Sequence, residues 1–272
     1  MDKPSIISKI KNIKIEQDKC NICIDIEKSK NIMKIIRKME KKEINNIVLE
    51  KKLQKNINFI KALNASSIKI FDGRWLEKYL TFEILDYIMI QASKKVEETE
   101  IAITVNEITD LSIEIILKLA KQYKRTTVVT NHINKLKKIE KELYEKNGIL
   151  IAITNNQKKS LLKPEIILNI DFNQELLNKY KINENAIIVN LEGDIKIKNK
   201  RFNGININDY EINVGREEII WREDMNLYNN KDLLEKVLYC RDTFKNIRKQ
   251  IEKNKISIKE LFGNNGKIER FY

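Results

Sequence analysis

The sequence has few cysteines and one histidine, which limits the chemistry it can carry. Its three cysteines, Cys20, Cys23 and Cys240, are an odd set too small for a disulfide framework, so we expect a reducing cytosol. Cys20 and Cys23 have redox or zinc spacing, but they fall in a predicted strand, where residues three apart face opposite sides. Zinc would need all three cysteines and His132, drawn from distant segments. We therefore predict no metal site, and the lone histidine also disfavours Ser-His-Asp or Cys-His catalysis.

Long apolar runs are also absent. Even the run from Ile84 to Ile90 is interrupted by Asp86, and nothing approaches the ~20 apolar residues that span a bilayer. The segment from Met1 to Glu16 has lysines and isolated isoleucines but no continuous apolar stretch with a small-residue cleavage site. We expect a soluble, cytoplasmic protein with no membrane association.

Glycine is missing from a long central stretch. The chain has seven glycines, and none lies between Arg74 and Asn147. The usual dinucleotide-binding fold needs a G-x-G-x-x-G turn after its first strand, because only glycine lets the backbone approach the pyrophosphate. The central stretch therefore lacks this motif.

The charge is strongly positive but dispersed. With 52 Lys and Arg against 39 Asp and Glu, the net charge is +13 and the pI is about 9.4. Such a charge would suit nucleic acid, a membrane surface or a phosphorylated ligand. However, the lysines are scattered, and Ile, Asn and Lys are abundant together, as A/T-rich coding would produce. We keep a nucleic-acid partner as an alternative that we do not favour.

The middle of the chain alternates short apolar segments with amphipathic helical ones. Parallel strands cannot be joined by a tight turn, so this alternation predicts a parallel sheet with crossover helices and a Rossmann-like α/β fold. The predicted strands are Ile101–Val105, Thr126–Thr130, Ile149–Thr154, Ile166–Ile170 and Ala186–Asn190.

The rest of the chain predicts a smaller α/β unit before this domain and a helix after it. We divide the chain into residues 1–97, 98–228 and 229–272, as an N-terminal unit with a long connecting helix, a Rossmann-like domain and a C-terminal helical segment. The N-terminal unit is predicted to have strands at 11–16, 20–26, 46–49 and 67–71 and helices at 28–42 and 52–63. Further predictions are helices at 74–95, 174–180 and 231–253, an exposed strand at 194–198 and a helical turn at 258–262, with 206–230 left between strand and loop.

Polar side chains follow the predicted parallel strands, where such sheets bind ligands. As ligand-binding residues we predict Asn106, Asn131, Asn155, Asn156 and Asp171, and Thr130, Asn169 and Asn190 lie at the same strand ends. The alternative is that Asn and Asp only cap helices and turns. Arg74 is a sixth candidate because it lies in the first turn of a helix, where an anion is favoured, although it could instead pair with Glu77.

The turn after the first strand of the sheet is unsuited to phosphate. It reads Asn106-Glu-Ile-Thr-Asp110, without glycine, and the carboxylates of Glu107 and Asp110 would repel a phosphate. We therefore predict no cofactor, with NAD or NADP disfavoured.

Two segments resemble a known family. The run Val128-Val-Thr-Asn131, followed by a helix ending at Gly148, resembles the second β-α unit of the NAD(P) domain in shikimate dehydrogenases and glutamyl-tRNA reductases. Leu161 to Asn169 is similar to their later strand ending in Asn, so the resemblance covers about residues 99–190. It implies a Rossmann-like fold without the glycine loop, and His132 replaces the arginine that would grip a 2'-phosphate. The families' catalytic residues align with no position of this chain.

The leading hypothesis is an atypical Rossmann-like protein that binds a small ligand or a protein partner at the strand ends, without redox chemistry. The alternatives are an NAD(P)-dependent oxidoreductase of the shikimate dehydrogenase group and a basic nucleic-acid-binding module. The sequence does not decide whether the protein is an enzyme. Its ligand and its oligomeric state also stay open at this point.

Overall fold

A computed structural model describes residues 10–16, 19–24, 32–123, 125–215, 227–239 and 243–271 of the 272-residue chain. The chain divides into two compact units, one made of residues 1–72 with 226–229 and one of residues 73–225 with 230–272. The boundaries that we predict at 97/98 and 228/229 remain predictions. Among the described residues, no helix is long and apolar enough to cross a membrane.

The first unit contains a hairpin and a small β-α-β arrangement. Strands β1 and β2 pair antiparallel, whereas β3 and β4 pair in parallel around helices α2 and α3. The side chains of Ile36, Phe59 and Leu63 are almost fully buried in its core, and Asn56 caps α3 by accepting a hydrogen bond from the N–H of Phe59. The elements are β1 Ile10–Glu16, β2 Lys19–Ile24, α1 Ile32–Lys41, β3 Asn46–Val48, α2 Lys51–Gln54, α3 Ile57–Asn64 and β4 Lys69–Phe71.

The second unit is built on one large sheet. It begins with α4 Arg74–Tyr79, α5 Thr81–Gln91, β5 Glu100–Thr104, α6 Asp110–Gln122, β6 Arg125–Val129, α7 Ile133–Asn147 and β7 Ile151–Thr154. It continues with β8 Ile166–Asn169, α8 Gln174–Leu177, β9 Ile187–Asn190 and β10 Ile205–Val214. It ends with α9 Asn230–Leu238, α10 Phe244–Lys253, β11 Ile256–Gly263 and β12 Gly266–Lys267.

The sheet has eight described strands in the order β12-β11-β10-β9-β8-β5-β6-β7, and the pairs from β10 to β7 are parallel. Numbered along the chain from β5, these six parallel strands have the order 3-2-1-4-5-6, which is that of doubly wound dinucleotide-binding folds. Every residue of β8 and β9 is buried, as expected for central parallel strands covered on both faces. The predicted α/β class with a mostly parallel sheet is therefore confirmed.

Several predicted elements differ in the structure. The helix predicted from Arg74 to about Lys95 is two helices, because Leu80 leaves helical geometry (φ −93°, ψ 8°) between α4 and α5. The helix predicted over 231–253 is also two, and α10 begins afresh after Thr243, whose backbone is extended (φ −71°, ψ 158°).

Two predictions near the end of the second unit are wrong. The predicted helical turn at 258–262 is part of strand β11, where buried Ile256 and Ile258 alternate with exposed Ser257 and Lys259 in the two-residue period of a strand. The predicted exposed strand at 194–198 is not a strand, since the N–H and C=O of Ile195 bond to asparagine side chains of β10 instead of to a neighbouring backbone.

Candidate functional site

The candidate site lies at the switch point of the sheet, between the carboxyl ends of β5 and β8. The strands that follow β5 in sequence, β6 and β7, lie on one side of it, and β8 to β10 lie on the other, so the strand order reverses here. Ligands of doubly wound folds bind in the crevice at this point. The carboxylate of Asp171, just after β8, accepts hydrogen bonds from the N–H of Asn106 at 2.7 and 2.9 Å. It also accepts the N–H of Glu107. The backbone donors after β5, which in dinucleotide folds face the pyrophosphate, are therefore occupied by a side chain of the protein itself.

The amino end of helix α6 is also satisfied internally. Thr109 is its N-cap, and Thr109 and Ser112 form a reciprocal capping box in which each side chain accepts the other residue's N–H. The hydroxyl of Ser112 further donates to the carbonyl of Glu107, which tightens the preceding turn. Two of the donors that usually hold an anion at such a helix start are thus already engaged.

The crevice is electronegative around Asp171. Burial raises the pKa of the Asp171 carboxyl above its usual value, while the hydrogen bonds from the N–H groups of Glu107 and Asn106 oppose this increase. The charges of Glu192 and Glu107 raise the pKa further, so both carboxylates lie close enough to be felt at Asp171. The side chains of Glu107 and Glu192 are exposed to solvent. An incoming anion would meet the carboxyl groups of Asp171 and Glu107 here, whereas that of Glu192 is paired with Lys78.

Asn131, predicted as a ligand-binding residue, is linked to this turn. Its N–H donates to the Oδ1 of Asn106 at 3.0 Å, which joins the ends of β5 and β6, and its own side chain is exposed. The next residue, His132, is the N-cap of α7, but its side chain makes no capping hydrogen bond to the helix. The structure therefore brings Asn106, Asn131 and Asp171 together in one hydrogen-bonded group.

The other predicted residues lie elsewhere. Asn155 and Asn156 follow β7, which is two strands from β5, and the Oδ1 of Asn156 accepts the N–H groups of Lys158 and Lys159 at 3.0 and 3.1 Å. Asn156 therefore acts as a turn cap, which is the alternative left open by the sequence. The side chain of Asn155 is exposed.

Arg74 makes several contacts with protein groups. Its Nη1 donates to the carbonyl of Asn208 at 2.6 Å and lies 3.5 Å from the carboxyl of Glu77, while Nη2 pairs with Asp194 at 3.1 Å. Arg74 therefore lies beside Glu77, as the predicted alternative requires, but its shorter contact with a carboxyl group is the one with Asp194. Lys78, the next residue after Glu77, pairs with Glu192 at 2.6 Å. With the pair of Arg74 and Asp194, helix α4 therefore makes two ion pairs to the loop after β9. A ligand-binding role for Arg74 stays a prediction.

A chain of buried amide side chains runs across the same edge. Thr104, Asn169 and Asn190 are opposite each other on β5, β8 and β9 and are 0% exposed. Thr104 Oγ1 donates to Asn169 Oδ1 at 2.7 Å, and Asn169 Nδ2 donates to Asn190 Oδ1 at 3.0 Å. Asn190 Nδ2 then donates at 2.9 Å to the Oδ1 atoms of Asn206 and Asn208 on β10. These asparagines hold the strand ends together and do not face the crevice.

A second feature not found from the sequence is a buried carboxyl group in α4. The side chain of Glu77 is 0% exposed, and neither of its oxygens has a hydrogen-bond partner in the described part of the chain. Burial raises its pKa from 4.5 to about 8, with Arg74 and Lys231 opposing and Asp209 adding to the increase. Glu77 is therefore mainly protonated at neutral pH. The sequence shows it only as a glutamate in an amphipathic helix, which gives no signal of burial.

No group of three or more His, Cys, Asp or Glu side chains in the described ranges is arranged to hold a metal ion. Cys20 and Cys23 lie on strand β2, as predicted, and Cys240 is outside the described residues.

Comparisons with known proteins give only distant similarities. No model of a protein family matches the sequence, and a search of curated proteins finds no relative. Among solved structures, aspartate transcarbamoylase from Trypanosoma cruzi is 14% identical, with 61% of this chain and 59% of that chain covered and a TM-score of 0.28. A mitochondrial ornithine carbamoyltransferase from Coccidioides immitis is 13% identical, with 62% and 60% covered and a TM-score of 0.30. L-tryptophan dehydrogenase from Nostoc punctiforme is 10% identical, with 85% and 74% covered and a TM-score of 0.34.

The chain thus spans about 60% of the length of the carbamoyltransferases that it matches. At these identities and TM-scores the similarities carry no inference about activity, so the site must be interpreted from its own residues.

Proposed function

We propose that this chain is an atypical Rossmann-like protein that binds a small neutral or cationic ligand at the crevice between β5 and β8, without a nicotinamide cofactor and without redox chemistry. One observation carries the proposal. The carboxylate of Asp171 takes the two backbone donors, of Asn106 and Glu107, that a pyrophosphate would need. In doubly wound folds these N–H groups usually bind the phosphate of a ligand, whereas here they bind a carboxylate of the protein.

A pyrophosphate could enter only against a large electrostatic cost. Displacing Asp171 would leave a partly buried carboxylate without its donors, and the phosphate would still lie beside it. Two unit charges ~4 Å apart repel by about 4 kcal/mol at the effective dielectric near a protein surface. That energy corresponds to about a thousandfold in Kd, before the repulsion by the exposed carboxylate of Glu107 is added.

The same groups suit a ligand that donates hydrogen bonds. Carboxylates and amide oxygens accept from ammonium, amine and hydroxyl groups, and an ammonium group would also gain from the negative potential of the crevice. The exposed side chains available for this are Glu107 and Asn131, with Glu192 and the half-buried Asn106 at the margin. We therefore propose an amine-bearing or polyhydroxylated small molecule as the ligand class.

The test is ligand-dependent thermal stabilisation of the whole chain. Putrescine, glucosamine, sorbitol and NADP serve as probes, and a ligand at a hundredfold over its Kd contributes ~2.7 kcal/mol to stability. We expect stabilisation by an amine or polyol probe and none by NADP. The Glu107→Gln variant should weaken that binding at least tenfold. Glu184→Gln, which lies before β9 at the amino ends of the parallel strands, should leave it unchanged.

Two outcomes would contradict the proposal. Stabilisation by NADP with none by the amines and polyols would reverse the assigned ligand class. Equal effects of Glu107→Gln and Glu184→Gln would move the binding site away from the crevice.

The strand order favours a second candidate, an NAD(P)-dependent oxidoreductase, because 3-2-1-4-5-6 is the order of dinucleotide-binding folds. This candidate requires Asp171 to release its backbone donors when the cofactor binds. Hydride transfer to or from NADP by the purified chain, lost in a variant altered at the turn from Asn106 to Glu107, would establish it over the first.

A further inference from the structure

Strand β7 is the last strand at one side of the sheet, and no described strand pairs with its outer side. The carbonyl of Thr154 accepts the N–H of Thr130 from the β6 side at 3.0 Å. Because the N–H and C=O of one residue in a strand point to the same side, and successive residues alternate, Ile151 and Ile153 direct theirs away from β6. These groups form a template to which another strand can pair.

The two sides of the sheet are protected differently. At the far side, β11 is covered by chain that follows it, since the N–H of Ile268 donates to the carbonyl of Leu261 at 2.9 Å. The exposed strand β12 there has only two residues, and Lys267 pairs with Glu260 at 2.8 Å. Short strands and charges of this kind prevent edge-to-edge association.

The described residues give the β7 side no such protection. The six residues from Ile149 to Thr154 contain no charge, proline or glycine and are rich in β-branched side chains. Leu150 is 72% exposed, and Tyr144 in the last turns of the preceding helix is 58% exposed. An uncharged edge strand with exposed apolar neighbours is typical of a surface that is covered in the assembled protein.

The charge distribution along helix α7, which precedes β7, complements that of a second copy of the same helix. Its first half has three lysines and no acidic residue, whereas its second half has three glutamates and two lysines, so the charge changes sign along the helix. When two copies of an edge strand pair antiparallel about a two-fold axis normal to the sheet, the preceding helices lie antiparallel on the same face. The basic half of each helix then faces the acidic half of its partner. The residues that share one side of the helix are Lys135 and Lys138 in the basic half and Glu142 and Glu145 in the acidic half, because residues three, four and seven apart lie on one face, whereas Lys137 and Glu140 lie on other sides.

We infer that a second copy of this chain is the occupant, and that β7 of one copy pairs antiparallel with β7 of the other to make one continuous sheet. The contact is isologous, so one patch complements itself and the association stops at a dimer. The inference rests on the edge and the helix, and it stands whether or not the crevice binds the proposed ligand.

The first test is sedimentation velocity of the full chain over a range of micromolar concentrations. We expect the wild-type chain to be dimeric and the Leu150→Lys/Ala152→Lys variant to be monomeric, because lysines on the edge oppose pairing. Ala152 is exposed, so the change does not place a charge in the core. The matched control, Ser257→Lys at an exposed position of β11, should remain dimeric. A monomeric wild-type chain, or a dimer that survives the β7 substitutions, would overturn the inference.

The second test examines the antiparallel arrangement of the helices. Lys135→Glu/Lys138→Glu should lower the dimer affinity at least tenfold, and so should Glu142→Lys/Glu145→Lys, since each makes like charges face each other. All four substituted positions are exposed, so both variants should fold. Mixing the two variants should restore dimers, because each then offers the other the opposite charge. Mixtures that stay monomeric would overturn the two-fold arrangement.

Discussion

Replacing Glu77 with glutamine should remove a large part of the pH dependence of stability. The Glu77 carboxyl is fully buried, and its pKa is about 8 in the folded protein against 4.5 in an unfolded chain. Between these values the folded protein holds a proton that the unfolded chain has lost. Stability from this group is therefore complete below pH 4.5, declines as the pH rises and is lost once the pH passes about 8.

The magnitude follows from linkage. One proton of difference between folded and unfolded states changes the free energy of unfolding by ~1.36 kcal/mol for each pH unit. Across this pH range the group accounts for a loss on the order of 4 kcal/mol. Glutamine has almost the same shape and does not titrate, so Glu77→Gln should lose about that much less between pH 5 and pH 8. At pH 8 it should be more stable than the wild-type chain.

Urea unfolding at closely spaced pH values measures this difference directly. Glu175→Gln, at an exposed position of α8, is the matched control and should follow the wild-type profile. Parallel profiles for the wild-type chain and Glu77→Gln would refute the conclusion that Glu77 is buried in its neutral form.

Two further predictions concern the strand ends. Asn190→Asp should destabilise the protein by about 3 kcal/mol, because a carboxylate would replace the amide donor that faces two amide oxygens inside the sheet. The control Asn185→Asp, at an exposed turn, should cost less than ~0.5 kcal/mol. Equal urea midpoints for these two variants would argue against the buried amide chain. Thr109→Ala should cost ~1 kcal/mol by removing the N-cap that bonds the N–H of Ser112, measured in the same assay, and an unchanged midpoint would show that the cap contributes nothing.

The strands of the large sheet could be predicted because they are short β-branched runs separated by amphipathic helices. The run from Ile101 to Val105 predicts β5 within one residue at each end, and Ala186 to Asn190 does the same for β9. The breaks in the helices could not be predicted in the same way. Leu80 is an apolar residue in the correct position for a continuous helical face, and only its backbone angles show that the helix ends there.

The contacts of the site that depend on the order of strands in the sheet could not be predicted from the sequence. Asp171 and Asn106 are 65 residues apart, and they meet only because β8 lies next to β5 instead of at the side of the sheet. Asparagine was common enough at the strand ends to suggest a binding edge, but the sequence could not separate buried Asn169 from exposed Asn131. Asn169 is the last residue of β8 and is paired on both sides, whereas Asn131 lies two residues beyond the end of β6.

The Asp171 carboxylate occupies the position at which doubly wound folds bind an anion. Calorimetric titration with inorganic pyrophosphate tests it most directly, on the wild-type chain, on Asp171→Ala, which frees the two N–H groups, and on the Glu184→Ala control. We expect no measurable binding to the wild-type chain or to the control, and binding that appears in Asp171→Ala. Pyrophosphate binding to the wild-type chain as tight as to Asp171→Ala would contradict it.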